Sequence, residues 1–451
     1  MEKIIGPIKS ICIGIAGVAL IMLVWGISPF TSFPNMFDVS KMTVSPESCQ
    51  GLNLDHDPAD RTFYDDPNLS YMVGSPVKNW DEKRREWLKH HPSFATGAKD
   101  RILVLTGSQP GPCKNHIGDH LLLRLFKNKV DYCRIHDYDI FYNNAFLHPE
   151  MGSWWAKVPG VRATMVAHPE AEWIFWMDSD AIFTDMDFKP PLEKYEDYNL
   201  VLDGWPDAIF EKKSWVGLNA GVFLLRNCQW SMEFLEAWAE MGPQTPNYEK
   251  WGKIQMETLN GKTFSAADDQ SGIIYLLLTE EKWRNKIHIE TKYDLSGYWP
   301  PIIDSLDKIT DNYARLEKKM VELQRRHAEK VSERYAKVTM EAFRKEGGGD
   351  GSLMRPFTTH FTGCQQCSAE YKKDNACWIG MEKVLNFADN QVLRNYGIGQ
   401  VVLNGSESSI MLFCPLEIIS ILAVRMKPAF KSLWISSLHL AITSGAILLE
   451  G

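Results

Sequence analysis

Two carboxylates separated by a single residue, Asp178 and Asp180, directly follow the apolar run Glu172–Met177. Carboxylates with this spacing at the end of a strand reach one hard cation together, and oxygen ligands suit Mn²⁺ or Mg²⁺. Such an ion bridges the two phosphates of a nucleotide diphosphate and neutralises charge on a leaving group. The same spacing recurs at 137–139 and 185–187, but neither pair follows a nearly wholly apolar strand. We therefore interpret Asp178 and Asp180 as metal ligands; the alternative is an acidic turn.

A second acidic group, Asp268-Asp269-Gln270, precedes the apolar run Ile273–Leu278. Aspartate favours the N-terminus of a helix, where it caps backbone N–H groups and complements the helix dipole. A carboxylate at this position can also orient an acceptor hydroxyl or stabilise an oxocarbenium-like centre. Capping and catalysis are compatible, so both interpretations stay open.

Two polar residues stand shortly before glycines. His360 precedes Gly363 and is either a metal ligand through its neutral imidazole or a structural histidine. Asn219 precedes Gly221, where small residues let the backbone approach a ligand, and its amide can bond to sugar hydroxyls.

Short apolar runs alternate with helical patterns and predict the elements that position these residues. The predicted strands are Arg101–Thr106, Tyr138–Tyr142, Glu172–Met177, Leu200–Leu202 and Val222–Leu225. Helices are predicted at Trp80–Trp87, from an Asp119 cap through Leu125, at Trp154–Met165, and as one long helix or a helix pair over Asp304–Lys345. Lys157 and Arg162, on the third of these, either meet phosphate or are solvated. This order predicts an α/β fold with a doubly wound, mostly parallel sheet, whose ligands bind at the carboxyl ends of the strands.

The N-terminal run Ser10–Ser28 carries no charge and is long enough to cross a bilayer as a helix. Lys3 and Lys9 precede it, so the positive-inside bias predicts a lumenal body. No small-x-small cleavage pattern follows the run, which favours an anchor over a cleaved signal peptide. The predicted organisation is a cytosolic tail (1–9), a transmembrane signal anchor (10–28), a stem (29–97), a catalytic domain (98–397) and an apolar C-terminal tail (398–451).

The cysteines and sequons suit a lumenal body. Cys364-x-x-Cys367 has no second CxxC beside it and no thioredoxin-like context, so we predict structural disulfides rather than a zinc or redox site. Asn68 and Asn404 open glycosylation sequons. The net charge of −8 gives no global basic field, which argues against nucleic acid as a partner.

Taken together, these motifs resemble those of the plant glycosyltransferases of family 34, the galactomannan galactosyltransferases and the xyloglucan xylosyltransferases. The matching stretches are Thr106–Pro110, His136–Asp139, Trp154–Lys157, Trp176–Ala181, Gly217–Gly221, Ala267–Ser271, Gly297–Trp299, Thr359–Phe361 and Asn386–Gln391. The resemblance implies a GT-A-like fold with flanking helices, retention of the anomeric configuration, and Mn²⁺ as cofactor.

The resemblance also assigns roles to residues of this chain. The expected metal ligands are Asp178, Asp180 and His360. The expected donor-binding residues are Gly107, Ser108, Gln109, Lys157, Asp178, Ser179, Asn219 and Gly363. The expected catalytic residues, around the transferred sugar, are Asp268, Asp269 and Gln270.

Two departures from the family pattern bear on function. Gln365 follows Cys364 where the xylosyltransferases look to carry a lysine, so this segment looks more like the galactomannan branch. The tail departs from the family after about Tyr396, which we interpret as an alternative splice or gene-model tail, with a second membrane segment as the alternative.

We therefore expect a single-pass type II Golgi membrane enzyme that transfers α-galactose from UDP-galactose to O6 of a mannan backbone. Its expected partners are the UDP-sugar, the polysaccharide acceptor, the Golgi membrane, and either further copies of itself or other wall-polysaccharide transferases in a homo- or hetero-oligomer. The first alternative is a xyloglucan 6-xylosyltransferase that uses UDP-xylose on a β-1,4-glucan. The second is a non-catalytic Golgi assembly subunit.

Overall fold

The computed structural model describes residues 69–320, 332–345, 354–367, 375–394, 398–400 and 410–412. Within these ranges no helix combines the length and the apolar character needed to cross a bilayer. The predicted anchor (10–28), both sequons (Asn68 and Asn404), and Cys49 and Cys414 lie outside the described residues. So do the cytosolic tail, most of the predicted stem and most of the C-terminal tail.

The strands and helices carry the following bounds. The strands are β1 (Ile102–Gly107), β2 (Asp139–Asn143), β3 (Trp173–Met177), β4 (Ala181–Phe183), β5 (Leu200–Gly204), β6 (Leu218–Arg226), β7 (Ile287–Glu290), β8 (Gly297–Tyr298), β9 (Thr358–His360), β10 (Ile398–Gln400) and β11 (Ile410–Leu412). The α-helices are α1 (Trp80–His90), α2 (Pro92–Ala95), α3 (His116–His136), α4 (Lys157–Ala167), α5 (Pro206–Phe210), α6 (Gln229–Ala239), α7 (Tyr248–Thr258), α8 (Asp269–Thr279), α9 (Glu281–Arg284), α10 (Trp299–Lys319), α11 (Ser332–Lys345) and α12 (Ala376–Arg394).

The central sheet has six strands in the order β2-β1-β3-β6-β5-β7. The pairings β1 with β2, β1 with β3, and β5 with β7 are parallel, whereas β6 is antiparallel to both β3 and β5. Five strands therefore run one way and β6 runs against them, so the predicted mostly parallel sheet is in fact mixed. β2 lies on one side of β1 and β3 on the other, so the strand order changes direction between β1 and β3. Ligands of such sheets bind near this switch point.

Strand periodicity explains how the sheet is covered on both faces. Alternate residues of β1 and β3, such as Leu105 and Ile174, pack with α4, α6 and α8 in one buried cluster. Their neighbours, such as Val104 and Phe175, pack in a second cluster with Tyr132 of α3 and Ala388 of α12. All five side chains of β3 are buried, which accounts for its wholly apolar sequence. The architecture agrees with the GT-A-like fold that the resemblance implies.

A small second sheet, in the order β4-β9-β8, lies beyond the carboxyl end of β3. β4 begins one residue after Asp180 and pairs antiparallel with β9, which places Ala181 opposite His360. β8 pairs parallel with β9 and places Tyr298 opposite His360. This sheet brings together two motifs that are almost 180 residues apart in the chain.

Some sequence predictions of local structure need correction. Asn115, not Asp119, caps α3: the Asn115 side chain accepts from the backbone N–H of Gly118 at 2.7 Å. Asp119 lies within the helix, and its carboxylate accepts from the backbone N–H of Cys113 at 3.0 Å. Among the described residues of 304–345 there are two helices, α10 and α11, in line with the predicted alternative of a helix pair, and α10 begins earlier than predicted, at Trp299.

Two disulfides, Cys113–Cys367 and Cys364–Cys377, confirm the prediction of structural bridges. The two cysteines of the CxxC pattern bind different partners rather than each other. Among the described cysteines, Cys133 and Cys228 are free thiols.

Helix α1, within the range predicted as a stem, is packed on the body of the protein. Trp80 is buried, and its indole N–H donates to Oδ1 of Asn227 at 2.7 Å. Arg84 donates to the carbonyl of Pro169 at 2.8 Å and forms an ion pair with Glu172 at 3.3 Å. The end of the predicted stem thus contributes to the core of the domain.

Candidate active site

The chain turns sharply between β3 and β4, and this turn carries Asp178 and Asp180. The backbone N–H of Asp178 donates to the carbonyl of Gly221 at 2.8 Å, and that of Ala181 donates to the carbonyl of Asp178 at 3.1 Å. Nε2 of His360 lies 3.3 Å from Oδ1 of Asp180 and 3.9 Å from Oδ2 of Asp178. One ligand atom from each of these three residues lies within 4.8 Å of the other two.

The imidazole of His360 is oriented through its other nitrogen. Nδ1 lies 3.1 Å from Oδ1 of Asn219 and 3.1 Å from Oγ of Ser296. Ser296 itself donates to Oδ1 of Asn219 at 2.9 Å, and the backbone N–H of Gly221 donates to the same oxygen at 2.8 Å. Because an amide oxygen only accepts, this arrangement favours the proton on Nδ1 and directs the lone pair of Nε2 toward the two aspartates.

Gly221 is required by the closeness of these groups. A Cβ atom there would lie 2.1 Å from Cε1 of His360 and 2.8 Å from Oδ2 of Asp178. Any side chain at this position would occupy the space that the ligand atoms share.

Asp178, Asp180 and His360 fit a divalent cation. Two carboxylates and a neutral imidazole are donors that suit Mn²⁺. Burial by itself would lower the pKa of His360, but the charges of Asp180 and Asp178 outweigh burial and raise the pKa. The two carboxylates thus stabilise positive charge at this spot, whether it comes from a proton or from a metal ion.

Lys129 supports the turn that bears the two aspartates. Its amine donates to the carbonyl of Ala181 at 2.7 Å and to that of Ser179 at 3.2 Å. The side chain is buried, and burial lowers the pKa of Lys129 to about 7 even though Asp180 and Asp178 act in the opposite direction. Ser179, predicted to bind the donor, therefore also contributes a backbone acceptor that holds the turn.

Lys157 joins the metal-site carboxylates to the second acidic group. Its side chain is 3% exposed, and Nζ lies 2.6 Å from Oδ2 of Asp269 and 3.3 Å from Oδ1 of Asp178. The amine also donates to the carbonyl of Ala220 at 2.9 Å. Burial would lower the pKa of Lys157, but Asp178 and Asp269 raise it above its ordinary value, so the amine is a cation. The alternative of a solvated Lys157 is wrong.

The adjacent carboxylates Asp268 and Asp269 differ in their surroundings. Asp268 is the N-cap of α8 and accepts from the backbone N–H and the hydroxyl of Ser271 at 2.9 and 2.6 Å. Oδ2 of Asp268 also forms an ion pair with Lys262. The predicted cap is therefore Asp268, whereas Asp269 faces Lys157; burial raises the pKa of Asp269 to about 6, although Lys157 lowers it.

Gln270 links this helix start to the strand that carries Asn219. Oε1 of Gln270 accepts from the backbone N–H of Ala220 at 3.4 Å, and Nε2 donates to the carbonyl of Trp215 at 2.9 Å. The side chain thereby spans the space between β6 and α8, beside the Lys157 amine.

The residues expected around the uridine lie at the carboxyl end of β1. The backbone N–H of Ser108 donates to the carbonyl of Asn143 at 3.1 Å, and a Cβ atom on Gly107 would lie 2.2 Å from that carbonyl oxygen. Gln109 donates to the carbonyl of Gly111 at 3.3 Å. The disulfide Cys113–Cys367 ties this loop to the loop after β9.

Gly363 belongs to that second loop and adopts a φ of 83°, a left-handed conformation that glycine tolerates best. The disulfide Cys364–Cys377 holds the same loop against α12. The two predicted donor-binding segments, 107–109 and 363, are thus parts of loops that a covalent bond joins.

Three residues considered from the sequence, Arg162, Asp185 and Asp187, form ion pairs with other side chains of the fold. Arg162 is buried and forms an ion pair with Glu236 at 2.9 Å, so it is neither solvated nor near the carboxylates described above. Asp185 and Asp187 pair with buried Arg355 at 3.5 and 2.9 Å, which explains why that acidic pattern is not a metal site.

Sequence reasoning missed Lys129, Ser296 and Lys262. Ser296 directly precedes a stretch that carried the family resemblance, so extending that stretch by one residue would have found it. Lys129 and Lys262 carry no local signal, because each acquires its partner only when the chain folds.

Comparison with known proteins places the chain in a family. A model of the galactosyl transferase GMA12/MNN10 family, Glyco_transf_34, matches residues 98–371. The chain belongs to glycosyltransferase family 34. Members of such a family transfer a sugar from a nucleotide-sugar donor to a glycan acceptor.

Individual relatives within family 34 are plant proteins. Putative glycosyltransferase 7 of Arabidopsis thaliana is 54% identical over 84% of this chain and 85% of its own. Galactomannan galactosyltransferase 1 of Cyamopsis tetragonoloba is 52% identical over 86% of this chain and 91% of its own. Probable xyloglucan 6-xylosyltransferase 3 of Arabidopsis thaliana is 44% identical over 77% of this chain and 71% of its own. The resemblance stated from the motifs is confirmed.

Proposed function

We propose that this family 34 glycosyltransferase transfers α-galactose from UDP-galactose to O6 of mannose units in a mannan backbone, with retention of the anomeric configuration. The single observation that carries the proposal is the convergence of Asp178, Asp180 and His360 at the carboxyl end of β3, with Lys157 connecting them to Asp269. We propose Mn²⁺ as the cofactor and the Golgi membrane, with a lumenal catalytic domain, as the location.

Three residues would hold the cation: Asp178, Asp180 and His360. When bound there, a divalent cation neutralises the diphosphate of the leaving UDP. Lys157 adds a fixed positive charge on the same side of the site, so developing negative charge on the leaving group meets a preorganised cation.

Asp269 is the carboxylate best placed to stabilise positive charge at the anomeric carbon. Both oxygens of Asp268 are engaged, by Ser271 and Lys262, whereas Asp269 pairs with Lys157 through Oδ2. Asp178 accepts from the indole N–H of Trp176 at 2.7 Å, which fixes the carboxylate that we expect to orient the donor. Retention follows either through a covalent intermediate or through attack on the same face of the sugar.

The choice of galactose rests on two observations. The galactomannan galactosyltransferase is more similar to this chain than the xyloglucan xylosyltransferase, at 52% against 44% identity. Gln365 is exposed in the loop after Gly363, where the xylosyltransferases look to carry a lysine that can meet the donor phosphate.

The test is a donor and acceptor panel on the full-length chain purified in detergent. UDP-galactose and UDP-xylose are each offered with manno-oligosaccharides and with cello-oligosaccharides, in the presence of Mn²⁺ or a chelator. The proposal predicts Mn²⁺-dependent transfer of galactose to manno-oligosaccharides, with an α-1,6 linkage in the product.

Other outcomes decide against the proposal in distinct ways. Transfer of xylose to cello-oligosaccharides would select the xylosyltransferase function instead. Absence of UDP binding, or donor hydrolysis that no acceptor changes, would indicate the non-catalytic assembly subunit.

A further inference from the structure

Three aromatic side chains form a continuous row that leads away from the acidic group at 268–270. The indole N–H of Trp215 donates to Oδ1 of Asp268 at 3.4 Å, and the Trp215 ring centroid lies 5.3 Å from that of Phe264. The Phe264 centroid lies in turn 6.3 Å from that of Trp154. We refer to Trp215, Phe264 and Trp154 as the aromatic row.

The outer end of the row is exposed although its chain neighbour is not. Trp154 is 43% exposed, whereas Trp155 is buried and donates its indole N–H to the carbonyl of Ala267 at 3.2 Å. This bond fixes the Trp154 backbone beside the residue that precedes Asp268. Ser153, just before Trp154, has a left-handed φ of 53°, a conformation that costs free energy in a residue with a side chain.

The inner end of the row is held by a buried cation. Nζ of Lys262 lies 3.6 Å from the Phe264 centroid and 5.9 Å from the Trp215 ring centroid, and it forms the ion pair with Asp268. The charge of Lys262 is thereby compensated, and the rings remain an apolar surface that begins at the catalytic segment. A large apolar side chain kept exposed beside a polar site is typical of a binding surface.

From this arrangement we infer that the aromatic row binds the acceptor polysaccharide, with the exposed ring of Trp154 stacked on the C–H face of a sugar unit and Phe264 and Trp215 lining the way to the acidic group. The inference rests on the proposed function and adds the acceptor subsite to it. A polysaccharide is the occupant that fits, because it must present one hydroxyl beside Asp269 while further units extend away from the site. The row fits this requirement, because Trp215 contacts Asp268 at one end and Trp154 is exposed to solvent at the other.

The experiment compares Trp154→Ala with the wild-type full-length chain on manno-oligosaccharides of increasing length. Trp154 lies at the exposed end and contacts none of the charged groups of the site, so the fold should tolerate the change. Leu123→Ala, at a 63% exposed position on α3, is the matched control. Trp154→Tyr retains a ring, and Phe264→Leu tests the middle of the row.

We expect Trp154→Ala to raise the acceptor KM about five-fold for long oligosaccharides, the equivalent of the roughly 1 kcal/mol that one stacked ring contributes. The KM for the nucleotide-sugar and the rate of donor hydrolysis should stay unchanged, and the effect should fade for the shortest acceptors. Trp154→Tyr should recover most of the affinity, and Phe264→Leu should also raise the acceptor KM.

Binding of oligosaccharides, measured by quenching of tryptophan fluorescence, tests the row even if galactose is not the transferred sugar. Binding of cello-oligosaccharides that Trp154→Ala weakens would support the row and overturn the galactosyl proposal alone. Equal acceptor binding by Trp154→Ala and wild type would overturn the row. Binding of liposomes that Trp154→Ala abolishes, with unchanged acceptor KM, would assign the row to a lipid surface instead.

Discussion

The amine of Lys157 lies 2.6 Å from Oδ2 of Asp269 in an ion pair that is almost wholly removed from solvent. Lys157 also lies 3.3 Å from Oδ1 of Asp178, so one cation connects a metal-site carboxylate with the carboxylate nearest the proposed anomeric centre. A change in the charge of any one of these three residues must therefore change the electrostatic environment, and hence the pKa, of the other two.

Replacing Lys157 by Met should destabilise the protein and abolish transfer. Removing one partner of a buried ion pair leaves the other charge uncompensated, which costs about 3–5 kcal/mol. The double variant Lys157→Met/Asp269→Asn should regain much of the free energy of unfolding, because the more deeply buried of the two carboxylates that Lys157 pairs with is then neutral, but it should stay inactive. Urea unfolding of the full chain measures the first effect and a transfer assay the second. A double variant as unstable as Lys157→Met would contradict the ion-pair account.

The rate of transfer should fall as the pH drops below about 6. Burial raises the pKa of Asp269 to about 6, and only the ionised carboxylate can stabilise positive charge. Because Lys157 lowers this pKa, its removal should move the acid limb of any residual activity to higher pH. The pH dependence of kcat measures both effects. If the acid limb of the pH profile persists unchanged in Asp269→Asn, the group that titrates there is a different residue.

Asp180→Asn and His360→Gln should each reduce Mn²⁺-dependent transfer at least about 100-fold, because each removes a proposed ligand. Ser296→Ala should weaken the apparent Mn²⁺ affinity roughly 10-fold with less effect on kcat at saturating metal, since Ser296 only orients His360. Mn²⁺ titration of activity gives both quantities.

The matched control for the metal variants is Asp137→Asn. Asp137 belongs to another Asp-x-Asp pattern, is exposed, and has a left-handed φ of 58° that asparagine tolerates. This variant should keep wild-type activity and Mn²⁺ dependence. Equal losses of activity in Asp137→Asn and Asp180→Asn would refute the choice of metal ligands from their position after an apolar strand.

Asp203→Asn should stabilise the protein at pH 8 relative to wild type and make little difference near pH 4. Burial raises the pKa of Asp203 to about 7, well above the ordinary value of about 3.9. The folded wild type therefore binds a proton that the unfolded chain releases, and its stability declines as the pH rises from about 4 to about 7. A neutral asparagine avoids this loss, which the shift in pKa sets at up to about 4 kcal/mol.

Urea unfolding of both proteins at pH 5 and pH 8 checks the sign. A wild-type advantage at pH 8 would mean that the backbone N–H groups of Ser296 and Leu295, which lower the pKa of Asp203, outweigh its burial. Asp203 lies opposite Asn219 in the β5–β6 pairing, so such a result would also bear on how His360 is held.

Parts of this structure follow from local sequence, and others do not. The short apolar and aromatic runs located β1, β2, β3 and β5 to within about two residues, because such runs are typical of strands. The direction of β6 could not be predicted, since a period-two pattern is the same in both directions.

The candidate site shows the same division. Asp178 could be placed because it directly follows a buried strand, and Asp268 because capping residues precede apolar helices. The meeting of Lys157 with Asp269 depends on how α4 and α8 pack on the sheet, which no local pattern encodes.

The loop after β9 is covalently fastened at two points, to the loop after β1 through Cys113–Cys367 and to α12 through Cys364–Cys377. In a reducing solvent neither bond persists, so a newly made chain reaches its final donor-site geometry only after oxidation. We therefore expect catalytic competence to require an oxidising compartment, which the proposed lumenal location provides. Such a requirement would keep the immature enzyme from consuming the UDP-sugars that the cell makes for other purposes.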